Sequence, residues 1–102
     1  MKLLTKELEV WFPALYATEK KRPEKIKIIA KFFDPSSQWT WYATEYDSVK
    51  RIFYGLVRGY VAEMGYFSLD ELETVKGRLG LGIERDRHFG KHTLAEALEK
   101  PI

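Results

Sequence analysis

The sequence predicts an α+β fold: an antiparallel sheet of three to five strands with two or three short helices packed mainly on one face. Three observations predict it. From Lys25 to Tyr66 the apolar residues mostly alternate, as they do on half-buried strands. After Ser68 they recur three and four apart, at Leu69, Leu72, Val75 and Leu79, which is helical spacing. The turns between the alternating runs are too short for the crossovers that parallel strands need. Helices laid against an antiparallel sheet make an α+β domain, and residues 1–102 are one domain on length alone.

In chain order, Leu4, Leu8, Trp11 or Phe12, and Leu15 mark an amphipathic helix over about 5–11. Thr5 is a weak N-cap because Leu8, not an acid, stands three residues on. Pro13 disfavours helical geometry at Phe12 and starts a second turn. Thr18 to Lys25 is a polar, basic connector broken by Pro23. Lys25 to Phe33 is a strand with Ile26, Ile28, Ala30 and Phe32 on one side and Lys25, Lys27, Ile29, Lys31 and Phe33 on the other. Asp34-Pro35-Ser36-Ser37 is a turn, and the aromatic, β-branched run Trp39–Glu45 is the second strand.

Arg51 to Tyr60 is the third strand. It is apolar on both sides, which places it at the centre of the sheet, and Gly55 and Gly59 mark a bulge or a close backbone approach. Tyr60 to Tyr66 is read as extended. Ser68 and Glu71 form a capping box for a helix running to about Lys76 and ended by Gly77. Ile83 to Phe89 is a short strand whose charges suit a sheet edge. Thr93 and Glu96 form a second capping box, for a helix that Pro101 stops.

Composition bounds function. The chain is 45% hydrophobic with 15 aromatic residues in 102, enough for a core without staples. It has no cysteine, which removes disulfides, thiolate catalysis and cysteine-bound zinc. A formal net charge of +2 carries no strong nucleic-acid signal by itself. The N-terminus is charged too early for a signal peptide, and no apolar run reaches a membrane span, so a cytoplasmic protein is expected. The absence of asparagine, the single glutamine and the 31% charged residues follow the pattern of thermophilic proteins.

Several strings, taken together, carry a family resemblance: Met1–Lys6 with Pro13-Ala14-Leu15-Tyr16; Lys31-Phe32-Phe33 with Trp39–Tyr42 and Thr44-Glu45; Phe53–Val57; Gly65–Leu72; and Ile83–Asp86. Over nearly the whole chain the sequence resembles an uncharacterised family of small single-domain proteins. Its members are commonly encoded on plasmids, phages and integrated mobile elements. The resemblance implies that genomic setting; it implies no reaction, cofactor or catalytic residue.

Chemistry has few places to reside. Glu45 with Asp47, and Glu84 with Asp86, are acidic pairs two apart, each pointing to one side of an extended chain. If their strands were neighbours, the four carboxylates could hold Mg²⁺ or Mn²⁺ for phosphodiester cleavage. Rim ion pairs with Lys50, Arg51, Arg85 or Arg87 are the favoured explanation. His88 and His92 are the only histidines; with Gly90 between them and no third soft ligand, a surface role outweighs zinc. The serines lack a nucleophile context, Leu79-Gly80-Leu81-Gly82 lacks the lysine of a phosphate loop, and no cofactor is expected.

Nucleic-acid binding is the sharper hypothesis. Lys20, Lys21, Arg22, Lys25, Lys27 and Lys31 place six positive charges in twelve residues, against Glu24 alone. Trp39 and Trp41 on the neighbouring strand are the candidate stacking rings beside them. The competing explanation is that the tryptophans are core and the lysines a solvated face. A protein-interaction module is the alternative, with Ile29 and Phe33 as the surface for a protein partner or a second copy. The expectation is a non-enzymatic accessory protein of a mobile element that acts by binding. In the recognisable string Gly65–Leu72 every group has a structural task except the Tyr66 hydroxyl, which is left without a partner.

Overall fold

The computed structural model describes residues 2–75 and 80–102. Thr5 does cap the first helix, α1 (Lys6–Glu9): its side chain accepts from the Leu8 N–H. Pro13 does not start a helix. A chain of turns follows from Ala14, and the Pro13 carbonyl instead accepts from the Tyr46 N–H, tying the segment to the sheet. Pro23–Lys25 closes one 3₁₀ turn.

The first predicted strand is broken in two at Ile29. β1 (Lys27–Ile28) pairs with β7 (His92–Thr93) in a small separate sheet, and β2 (Ala30–Phe33) joins the main one. The main sheet is completed by β3 (Thr40–Asp47), β4 (Ile52–Arg58), β5 (Ala62–Ser68) and β6 (Glu84–Arg85). All its pairings are antiparallel, in the order β5-β4-β3-β2-β6. The short charged strand β6 is an edge strand, as its composition predicted.

Among the described residues, two of the three α-helices share one face. There α1 and α2 (Leu69–Thr74), with Leu3 and Leu4 ahead of them, close over Ala30, Phe32, Ala43, Tyr46, Phe53 and Phe67. Phe53 is the hub: its ring lies 4.6 Å from Tyr46, 5.2 Å from Phe32 and 5.4 Å from both Phe12 and Phe67. Burying a ring of that size contributes roughly 1.5–3 kcal/mol. The third helix, α3 (Leu94–Glu99), packs on the opposite face through Leu94 and Ala97 against Ile26, Ile28, Tyr42 and Leu56. Thr93 and Glu96 make both arms of its capping box, and Lys100 is already extended before Pro101. At α2, Ser68 Oγ accepts from the Glu71 N–H. This helix ends at Thr74 because Val75 is extended; the predicted run to Lys76 and the Gly77 cap lie outside the described residues.

The centre of the sheet differs from the sequence expectation. β4 is apolar on both faces, yet β3 holds the middle position. The reason is that β3 is buried without being apolar: Tyr42 to Tyr46 are all inaccessible, and Thr44 and Glu45 are buried through hydrogen bonds. Gly55 marks a close approach, since a Cβ there would lie 1.9 Å from the Tyr42 carbonyl oxygen; the bulge itself is across from it on β3. Ala43 pairs with Gly55 and Glu45 with Tyr54, leaving Thr44 extra, its hydroxyl donating to the Tyr54 carbonyl at 3.1 Å. One inserted residue exchanges the two sides of everything after it. It turns Tyr46 into the core and Glu45 to the opposite face.

Among the described residues no helix is long and apolar enough to cross a membrane.

Candidate functional site

The bulge is where the site begins. Glu45, 2% exposed, lies under the turns that precede the basic connector. Its Oε1 accepts from the Tyr16 N–H at 2.8 Å. Its Oε2 accepts from the Thr18 N–H at 2.9 Å and from the Thr18 hydroxyl. A buried carboxylate is tolerable only when its lone pairs are met in this way. These bonds also hold Tyr16 in the left-handed region, φ 72°, which is strained for an aromatic residue.

The result is a cavity of about 380 Å³ on the α3 side of the sheet. Tyr54 and Tyr66, paired across β4 and β5, line it with ring centroids 4.9 Å apart and planes inclined at 53°. Tyr16 from the preceding turns and Lys21 from the connector border it, and Met64 and Leu98 supply apolar wall. Tyr16 and Tyr66 are more than half exposed, so their rings are accessible. Among the described residues its lining holds three phenols and no arginine or histidine.

In the fold Tyr66 has Tyr16 for a neighbour, both lining the cavity. Hydrogen bonding with Tyr16 pushes its phenol up to about 12, with desolvation and weaker repulsion from Tyr16, Tyr54 and Glu45 adding to the shift. A phenol that holds its proton more tightly in the native state stabilises that state fully below its ordinary value of 10.0. That contribution is lost as pH rises from there through about 12. Titration of phenolate absorbance should show a late step that Tyr66→Phe removes; an unchanged alkaline limb would mean the Tyr16 contact does not hold the proton.

The residues singled out in the sequence are not brought together as one surface. Lys20, Lys21, Arg22, Lys25 and Lys27 are exposed, and Arg22 pairs with Glu24 at 2.6 Å. Lys31 is held inward, donating to the Ile102 carbonyl at 2.7 Å and lying 3.7 Å from Asp86. The break at Ile29 separates it from Lys27. Trp39 and Trp41 do not stand beside the lysines. Lys31 pairs with Tyr42 and Phe32 with Trp41, so strand alternation puts Trp41 on the other face, packed against the Phe53 core. Trp39 stacks near Trp41 at 6.0 Å and covers Gly59, where a Cβ would meet its ring at 2.4 Å.

The acidic pairs do not converge either. β2 lies between β3 and β6, Glu45 is taken up by the Tyr16 and Thr18 donors, and Asp47 accepts from the Val49 and Lys50 N–H groups of its turn. Asp86 faces Lys31, and Glu84 pairs with Phe33 in the ladder. Arg51 binds Asp70 and Glu73 instead of these acids. Among the described residues no group of three or more histidines and acids is set to hold a metal ion. His88 lies in an exposed turn, and His92 bonds Glu96 at 2.9 Å. Ile29 and Phe33 are half-buried; among the described residues the most exposed large apolar ones are Val10, Trp11, Val49 and Tyr60.

Sequence reasoning missed Tyr16, Thr18 and Tyr54 as site residues and left Tyr66 without a role. The available signal was that Pro13–Tyr16, Thr44-Glu45, Phe53–Val57 and Gly65–Leu72 were all singled out as strings; the fold joins them at one cavity. No curated protein and no solved structure matches the chain significantly. A family model does, over residues 3–100, and its description is a protein of unknown function. Matched over nearly its whole length, the chain belongs to the DUF2958 family.

Proposed function

We propose that this protein binds nucleic acid through the basic connector, as an accessory protein of a mobile element. The observation that carries the reading is the position of the connector. Its Lys21 borders the cavity that Tyr16 and Tyr66 line, with the exposed Glu19 beside it, and Lys20, Lys25 and Lys27 extend the positive charge along the connector, so lysines and accessible aromatic rings meet at one place. Among the described residues Lys20, Lys21, Lys25 and Lys27 make no ion pair, and all four are exposed. Lysines in that state are free to replace counterions along a phosphate backbone. The surface differs from the one the sequence suggested in its aromatic component, tyrosines in place of Trp39 and Trp41. The mobile-element setting rests on the family resemblance.

The test is fluorescence anisotropy with labelled DNA and RNA, each as single strand and duplex, between about 50 and about 200 mM salt. Binding should weaken steeply with salt, and the Lys20→Ala, Lys21→Ala, Lys25→Ala triple variant should flatten the salt slope by about 3. No binding at the low-salt end, or an unchanged slope in the triple variant, ends this reading.

A further inference from the structure

We propose that the tyrosine-lined cavity receives a single unpaired nucleobase, so that the protein selects single-stranded over duplex nucleic acid. This rests on the nucleic-acid reading and names what that surface recognises. The volume, about 380 Å³, falls within the range of small-ligand pockets and suits one base with its sugar. The lining can meet a planar π-system: Tyr16, Tyr54 and Tyr66 offer rings, those of Tyr54 and Tyr66 inclined at 53° to each other, and Met64 and Leu98 add apolar contact. Any base has a face that stacks on such rings, and a paired base is confined within its duplex and cannot enter. Lys21 at the rim, with Lys20 beside it, meets the phosphates that flank an inserted base.

A second observation separates this cavity from a packing defect. Left-handed geometry at an aromatic residue is costly, and a buried carboxylate with three protein donors maintains it. The effect is to keep the Tyr16 ring, 63% exposed, at the cavity mouth. Closing a core needs no such device.

The experiment compares a labelled oligothymidylate with the same strand carrying abasic residues and with its duplex, at low salt. The base-bearing strand should bind about ten-fold or more tighter than the abasic strand. Tyr66→Ala should remove most of that difference. Tyr16→Gly should do the same while relieving backbone strain, since glycine adopts the left-handed region freely; it therefore tests the ring without threatening the fold. If abasic and base-bearing strands bind equally and both respond to the lysine variants, the base pocket is wrong and the nucleic-acid reading stands. If neither strand binds at low salt, both are wrong. Equal affinity for duplex and single strand also overturns the pocket.

Discussion

Glu45→Ala is expected to lower unfolding stability by about 3 kcal/mol, because hydrogen bonds to a charged group are each worth more than neutral ones and buried donors would be left unpaired. For a chain of this size that is a fall in melting temperature of roughly 15 °C. The groups stranded are the Tyr16 N–H, the Thr18 N–H and the Thr18 hydroxyl, with Thr18 itself 6% exposed. Glu45→Gln keeps one oxygen and turns an amide toward a donor, so it should fall between wild type and alanine. Urea unfolding of the three proteins decides the matter. If both variants stay within about 0.5 kcal/mol of wild type, as ordinary surface changes do, Glu45 does not anchor the 14–18 turns. The same variants should widen the cavity mouth, and Tyr16 should become more accessible to chemical modification.

Gly55→Ala should be at least as damaging. The added Cβ would lie 1.9 Å from the Tyr42 carbonyl oxygen and 3.0 Å from Ala43 Cα, both backbone atoms of the central strand, which cannot rotate away. The β3–β4 ladder must open locally, at a cost of about 3 kcal/mol or more, the upper end for overpacking. Gly65→Ala is the matched control. Gly65 pairs with Gly55 across β4–β5, yet its Cβ would meet nothing within 4 Å. It should be neutral or slightly stabilising through the reduced freedom of the unfolded chain. Expression in soluble form and denaturation midpoints would separate the two; equal effects would refute the contact on which the prediction rests.

These two residues show how far the sequence could be followed. Gly55 was legible as a point of close approach because glycine in an apolar strand has few other uses. Which atoms approach was not legible. Glu45 was legible as an acid at a strand end, and that suggested a metal ligand or a rim ion pair. Two of its three partners are backbone N–H groups 29 and 27 residues away, a type of contact that leaves no mark on residue identity; the third is the Thr18 hydroxyl. The tryptophans failed for a related reason. Trp39 and Trp41 have the right composition for stacking beside lysines, but the register Phe32 to Trp41 sends them to the other face. A register offset of one residue decides that, and composition does not report it.

What the sequence determined alone is the set of features written in local chemistry. The caps at Thr5, Ser68 and Thr93 follow from side-chain oxygens meeting amides three residues on. The change from sheet to helix at Ser68, the antiparallel pairs and the charged edge strand follow from period, short turns and charge. Only the tertiary structure decided that β3 is central, that the strand of Ile26 and Ile28 breaks at Ile29, and that Tyr16, Tyr54 and Tyr66 share a cavity. All three depend on which strands pair and in what register. The bulge at Thr44 is the sharpest case: one unpaired residue turns Glu45 toward Tyr16 and Tyr46 toward Phe53, and with them it places the Phe53 cluster on one side of the sheet and the candidate site on the other, beside the smaller cluster under α3.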